Sequence, residues 1–180
     1  MSNNKHLLNN AHQSAKQAIT RIIELEGGYV NDPNDKGGET KFGITKRWYP
    51  NLDIASLTRD DATRIYYQDY WLENQCDKLP TALAFILFDT AVNQGPVFAV
   101  TTLQNSLGVK ADGIIGSQTL NAAYRVITDT PNVAISFTHQ RLQRYASLAQ
   151  NDPTQVKFIK GWINRAMEAL SAGLSFRGEL

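Results

Sequence analysis

Two glutamates, Glu24 and Glu26, stand at the end of an apolar run and directly before a Gly-Gly pair. The carbonyl end of a helix carries roughly half a negative charge, so a carboxylate is electrostatically unfavourable there. Such a side chain, with apolar neighbours and little water, tends to keep its proton and can act as a general acid near neutral pH. Protonation of a glycosidic oxygen needs that property. The alternative is that both glutamates are solvated residues of a frayed last turn.

The run before them has the period of an amphipathic helix. Its apolar residues recur about every 3.6 positions; they are Ala11, Ala15, Ala18, Ile19, Ile22, Ile23 and Leu25. Gly27 is a typical residue just beyond the end of a helix. The sequence therefore predicts a helix that delivers the two glutamates to its carboxyl end.

The following loop, "NDPNDKGGET", offers Asp32, Asp35 and Thr40. Its Pro and Gly residues are turn formers, and the flanking runs "GYV" and "TKFGIT" favour strands, so a small hairpin or meander is expected beside the helix end. This arrangement would supply the second carboxylate that glycoside hydrolysis uses. A calcium loop that starts at Asp32 is disfavoured, because Lys36 and Gly43 fall where oxygen ligands are required.

The run "ELEGGYVNDPNDKGGETKFGIT" closely resembles the signature of the family 108 glycoside hydrolases, which are N-acetylmuramidases found as phage endolysins and in bacterial genomes. The resemblance continues through "IYYQDYW" and "FDTAVNQGP". The stretch "LQNSLGVKADGIIGSQTL" is similar to the family's peptidoglycan-binding segment, and the resemblance ends in "KFIKGWINRA". It covers nearly the whole chain and implies a lysozyme-like, mainly α fold with a small β hairpin.

The resemblance also implies roles for individual residues. Glu26 corresponds to the catalytic acid, and Asp35 and Thr40 match the wider phage-lysozyme pattern of an Asp nine residues after the Glu and then a Thr. The distance from Asp35 to Thr40 is one residue shorter than that pattern, so Asp32 is kept as the alternative second carboxylate. Tyr29, three residues after Glu26, is the aromatic residue expected to contact the sugar.

Composition agrees with one globular unit. A chain of 180 residues with 42% hydrophobic residues can bury one core. We expect a lysozyme-like catalytic region over residues 1–95 and a helical peptidoglycan-binding segment over 96–180, packed as parts of one monomer. The net charge of +1 argues against nucleic-acid binding.

Neither a disulfide nor a metal site is expected. Cys76 is the single cysteine, so it has no intramolecular partner. The three histidines, His6, His12 and His139, are too scattered for a zinc site. We therefore expect catalysis without metal or cofactor.

The sequence also suggests where the protein works. Its N-terminus lacks an apolar signal-peptide core, and no run approaches the ~20 apolar residues of a membrane span. We expect it to stay in the host cytoplasm until a holin releases it to periplasmic peptidoglycan. The cations of the last two helices are expected to form a solvated basic face, or alternatively to meet an anionic wall or outer-membrane surface; they are Arg141, Arg144, Lys157, Lys160 and Arg165.

Three further segments of the chain carry signals for helices. Thr58 and the acidic residues after it predict a helix start. The run from Ala82 to Phe88 predicts a helix buried on all sides, where Asp89 and Asn93, one turn apart, must pair with protein groups or with a bound sugar. After a turn at Asp112 and Gly113, a helix capped by Ser117 is expected.

Together these features predict an enzyme that hydrolyses the β-1,4 bond between N-acetylmuramic acid and N-acetylglucosamine. Two alternatives stay open. One is a cell-wall-binding module without catalysis; the other is a lytic transglycosylase, which would use Glu26 alone and leave a 1,6-anhydro sugar.

Overall fold

A computed structural model describes residues 2–31 and 38–175, with side chains from residue 13 onward. The predicted residues Asp32 and Asp35 therefore lie outside the described part. The helices and strands are α1 (Ser2–Glu26), β1 (Thr40–Lys41), β2 (Ile44–Thr45), α2 (Arg59–Ile65), α3 (Thr81–Gln94), α4 (Pro96–Ser106), α5 (Ser117–Arg125), α6 (Thr130–Asn151) and α7 (Ile159–Ser175). None of the described helices is long and apolar enough to cross a membrane.

The buried centre of the molecule is α3. Every residue from Leu83 to Ala91 is buried, which confirms the prediction made from its apolar run. Helices α1, α4, α6 and α7 all pack on it. Helix α7 comes especially close, because a Cβ at Gly173 would lie 3.0 Å from the carbonyl oxygen of Ala82. Residues from both ends of the chain thus share one core around α3.

Helix α1 ends at Glu26 as predicted. Gly27 follows with a φ of 75°, the left-handed conformation that glycine adopts most readily after a helix. The inward face of α1 buries Ala15, Ala18, Ile19, Ile22 and Ile23. Leu25, expected on the same face, is instead 47% exposed. The predicted apolar stripe therefore ends before the last turn of the helix.

The small hairpin or meander expected after α1 is present, but the turn of its hairpin lies within "TKFGIT", a run that was expected to form one strand. Thr40 pairs with Thr45 and Lys41 with Ile44, and the two-residue turn between them has positive φ at both Phe42 and Gly43. This is the turn geometry that matches the twist of a tight hairpin. Val30 also pairs with Thr40 in an isolated antiparallel bridge, in which the two residues exchange backbone hydrogen bonds of 2.8 and 2.9 Å. The result is a small meander beside the end of α1.

Helix α2 begins as predicted. Thr58 and Asp61 form a capping box, in which each side chain bonds the other residue's backbone N–H. The helix continues as a π-helical segment from Tyr66 to Leu72, in which Tyr66 and Trp71 are buried. Such segments are uncommon and often lie at functional sites.

The turn between α4 and α5 is organised by the buried side chain of Gln104. Its amide nitrogen donates to Asp112 Oδ1 at 2.8 Å, and its oxygen accepts from the backbone N–H of Gly113 at 2.9 Å. The predicted capping role of Ser117 is wrong: Ser117 is the first residue of α5, and Gly116 precedes it without a side-chain cap. The backbone therefore turns into the helix one residue earlier than the Ser signal indicated.

Candidate active site

Glu26 and Glu24 occupy different environments at the end of α1. Glu26 is 26% exposed, and its Oε1 accepts a hydrogen bond from Nη1 of Arg165 at 2.6 Å. Glu24 is 65% exposed and meets Arg59, itself 54% exposed, at 3.5 Å. Side chains two positions apart on a helix point in directions that differ by about 200°, so only one of Glu24 and Glu26 can face the interior. The solvated alternative therefore applies to Glu24 and not to Glu26.

Arg165, on α7, joins Glu26 to a second carboxylate. Its Nε donates to Oδ1 of Asp89, on α3, at 3.3 Å. Burial alone would lower the pKa of Arg165, but the charges of Asp89 and Glu26 more than offset this and raise it. Arg165 is therefore a fixed positive charge between two carboxylates.

Asp89 is buried and paired on both sides. Its side chain is 1% exposed, and Oδ2 lies 2.7 Å from Nη1 of Arg141, which is 2% exposed. A buried carboxylate of this kind requires such partners, since an unpaired ion in the interior costs several kcal/mol. Asp89 thus links α3 to α6 through Arg141 and to α7 through Arg165.

Asn93 extends the same network. Its Oδ1 accepts from the hydroxyl of Tyr145 at 2.6 Å, and Nε of Arg141 donates to that hydroxyl at 3.0 Å. Burial raises the pKa of Tyr145, so the hydroxyl keeps its proton and can donate. Asp89 and Asn93 share one face of α3, and the partners described here are protein groups. Contact of either residue with substrate stays a prediction.

The expected basic face is wrong for two of its members. Arg141 is buried and the side chain of Arg165 is only 15% exposed, and both are paired with carboxylates, whereas Lys160 on α7 is exposed. The available signal was Asp89 within an apolar helix, because a buried carboxylate needs a cation. The sequence alone did not indicate which cations would reach it.

The hairpin turn packs directly on Glu26. A Cβ at Gly43 would lie 2.6 Å from the hydroxyl oxygen of Tyr66 and 2.8 Å from Cγ of Glu26. The Tyr66 hydroxyl donates to the carbonyl of Phe42 at 2.8 Å. Burial, followed by the nearby charge of Glu26, raises the pKa of Tyr66 and keeps this donor protonated. Gly43, Tyr66 and Arg165 therefore border Glu26, and sequence reasoning assigned none of them to the site.

Of the remaining predicted site residues, Thr40 and Tyr29 are described and lie on or directly before the meander. Thr40 is in β1, with its hydroxyl 3.4 Å from the carbonyl of Gly38. Tyr29 is 43% exposed and precedes Val30, the residue that pairs with Thr40. Tyr29 is thus partly exposed to solvent, and its contact with a sugar stays a prediction. In the described part of the chain no group of three or more His, Cys, Asp or Glu side chains could hold a metal ion.

Comparison with known proteins places this geometry in a family. The profile of glycosyl hydrolase 108 matches residues 19–95. The solved structure of Brucella abortus SagA shares 31% sequence identity over 92% of this chain and 96% of that one, with a TM-score of 0.77. The chain belongs to glycosyl hydrolase family 108. The same match confirms the lysozyme-like, mainly α fold of this family 108 protein.

A second profile, described as "Predicted Peptidoglycan domain", matches residues 98–167 of the family 108 protein. Together the two profiles indicate a glycoside hydrolase that acts on peptidoglycan. No protein with a curated description matches the chain.

Proposed function

We propose that this family 108 protein is an N-acetylmuramidase with Glu26 as its general acid. The observation that carries the proposal is the placement of Glu26: it is the half-buried glutamate at the end of α1, enclosed by the hairpin turn and paired with Arg165. Glu24 lacks these features and points to solvent. A general acid has to be held in one geometry, and these contacts hold Glu26.

In the proposed reaction Glu26 gives its proton to the oxygen that bridges N-acetylmuramic acid and N-acetylglucosamine. The bond between this oxygen and the anomeric carbon of the muramic acid breaks, and N-acetylglucosamine leaves with the proton. A water molecule then bonds to the anomeric carbon and gives up a proton to a carboxylate. The sum is hydrolysis of one β-1,4 bond.

We assign the second carboxylate to Asp35, with Asp32 as the alternative, and the holding of the water to Thr40. These assignments come from the sequence pattern. A gap of roughly 6.5 to 9.5 Å between the two carboxyl groups would leave room for a water and invert the anomeric centre. A gap of roughly 5 to 5.5 Å would favour a covalent intermediate and retention.

Substrate binding is assigned mainly to the segment of the chain that follows α1. Tyr29 is 43% exposed beside the meander and offers a flat ring on which a sugar can stack. Asp32 is a candidate hydrogen-bond partner from sequence. For Asp89 and Asn93 we propose a supporting role, because their described contacts fix Arg165 and Arg141.

The decisive experiment is a digest of purified peptidoglycan followed by mass spectrometry of the products. A muramidase leaves N-acetylmuramic acid at the new reducing ends. Products lighter by one water, with 1,6-anhydro ends, would identify a lytic transglycosylase. Binding to peptidoglycan without any release of fragments by the folded protein would identify a cell-wall-binding module.

We also propose, from the sequence expectation, that the protein is a monomeric phage endolysin that stays in the host cytoplasm until a holin opens the membrane. Expression in a Gram-negative host should then leave the culture turbid, and addition of a membrane-permeabilising agent should clear it. A Glu26→Gln culture is the control and should stay turbid after permeabilisation. Clearing of the culture on expression alone would reject this release mechanism.

A further inference from the structure

The ion pairs of the site connect the two segments that the family profiles match. Glu26 and Asp89 belong to residues 19–95, matched by the glycosyl hydrolase profile, and Arg141 and Arg165 to residues 98–167, matched by the peptidoglycan-domain profile. The chain of contacts runs from Glu26 to Arg165, to Asp89 and to Arg141, at 2.6, 3.3 and 2.7 Å. Each contact therefore crosses from one segment to the other.

Arg165 is held before substrate arrives. Its side chain is 15% exposed, and Asp89 contacts the guanidinium through Nε, a different nitrogen from the Nη1 that contacts Glu26. Arg141 in turn fixes Asp89, and both of these side chains are almost fully buried. A side chain locked by such a supporting pair keeps its donor in one place and does not have to reorganise during the reaction.

We propose that Arg165 is a positioning residue for Glu26, so that the segment matching the peptidoglycan domain completes the active site in addition to any contact it makes with the wall. This inference rests on the proposed role of Glu26 as general acid. The guanidinium occupies Oε1, which leaves Oε2 as the oxygen that carries the proton to the leaving group. Arg165 thereby sets the direction of proton transfer.

The same contact stabilises the transition state. As the proton passes from Glu26 to the bridging oxygen, negative charge grows on the carboxylate, and the guanidinium 2.6 Å away offsets it. The interaction is stronger in the transition state than with the neutral acid, so its loss lowers kcat and leaves KM nearly unchanged. A residue that bound the sugar directly would instead raise KM.

The test compares full-length variants on soluble, uncrosslinked peptidoglycan strands. Arg165→Met keeps an unbranched, flexible side chain, shorter than that of Arg, and removes the donors to both Glu26 and Asp89. We expect kcat to fall roughly 10- to 100-fold, the effect of losing the charge-assisted hydrogen bond to Glu26, with KM within about twofold of the wild type. Arg165→Lys keeps the charge and should recover part of the loss. Lys160→Met removes one charge from the exposed face of the same helix and should retain wild-type kcat.

Circular dichroism establishes that each variant is folded at the assay temperature; if Arg165→Met is not, Arg165→Gln takes its place. The role of Arg165 is then tested in a Glu26→Gln background. If Arg165 acts through Glu26, the double variant is no slower than Glu26→Gln alone. Three results would overturn the inference. The first is a double variant slower than Glu26→Gln by the factor that Arg165→Met loses in the wild-type background. The others are an Arg165→Met variant with raised KM at normal kcat, and a Lys160→Met variant that loses as much kcat as Arg165→Met. Near-normal activity of Glu26→Gln would instead reject the proposed function itself.

Discussion

At the level of single residues, the end of α1 separates two glutamates that are chemically identical. Glu26 touches Arg165 and the hairpin turn, whereas Glu24 is 65% exposed. Substitution of Gln for Glu keeps the shape and removes the titrating proton. We expect Glu26→Gln to lower the rate of peptidoglycan hydrolysis by roughly 10²- to 10⁴-fold with the fold intact, and Glu24→Gln to be nearly silent. An essential Glu24 with a dispensable Glu26 would show that the acid is misassigned.

The second carboxylate is also a question about single residues. Asp32 precedes Pro33, a position where Asp commonly opens a turn by accepting backbone N–H bonds. We expect Asp35→Asn to abolish most activity with little change in melting temperature. Asp32→Asn should mainly cost stability, about 1 kcal/mol for a weakened hydrogen bond. A folded but inactive Asp32→Asn variant would move the water-positioning role from Asp35 to Asp32.

At the level of elements, the hairpin is a wall of the site, and Gly43 is the residue that lets it close on Glu26. Its φ of 77° disfavours any side chain, at a cost of about 1–2 kcal/mol. A Cβ would in addition meet Tyr66 and Glu26 at 2.6 and 2.8 Å. Gly43→Ala should therefore reduce activity strongly, measured on peptidoglycan below the melting temperature of the variant.

Gly38 provides the matched control for this prediction. Its φ is 69°, and the nearest atom to an added Cβ is Cβ of Lys46 at 3.7 Å, an ordinary van der Waals distance. Gly38→Ala should lose similar stability without displacing Glu26. Equal activities of the two folded variants would mean that the contact between the turn and Glu26 does not matter for catalysis.

At the level of the whole molecule, Asp89 ties three helices from both matched segments together. It lies on α3 and pairs with Arg141 on α6 and Arg165 on α7. Asp89→Asn keeps the volume but removes the countercharge that the buried Arg141 shares with Arg165, which is 15% exposed. We expect the free energy of unfolding to fall by about 3–5 kcal/mol, measured by urea denaturation.

The surface ion pair between Arg21 and Glu168 is the control for that measurement. It also joins distant parts of the chain, at 2.8 Å, but Glu168 is 56% exposed. Glu168→Gln should cost no more than about 1 kcal/mol. A similar cost for both variants would show that burial of the Asp89 network contributes little to stability.

Features that depend on neighbouring residues could be predicted from the sequence. The period of α1, its end at Gly27, the capping box at Thr58 and the all-round burial of α3 are each encoded within a few turns. The presence of a small meander after α1 also follows from local β and glycine signals, whereas the position of its turn at Gly43 was not predicted. The resemblance of the motif then singled out Glu26, which local physics alone could not distinguish from Glu24.

The surroundings of Glu26 were decided only by the tertiary structure. Arg165 lies 139 residues further along the chain, and its meeting with Glu26 depends on how α7 packs against α1 and α3. Helical periodicity shows which face is apolar, but it does not specify which charged residues of two helices will meet. For that reason the sequence predicts a solvated basic face that includes Arg141 and Arg165, and the structure contradicts it for both. The sequence by itself determined the helix that presents the acid, and the packing of distant helices determined what holds the acid in place.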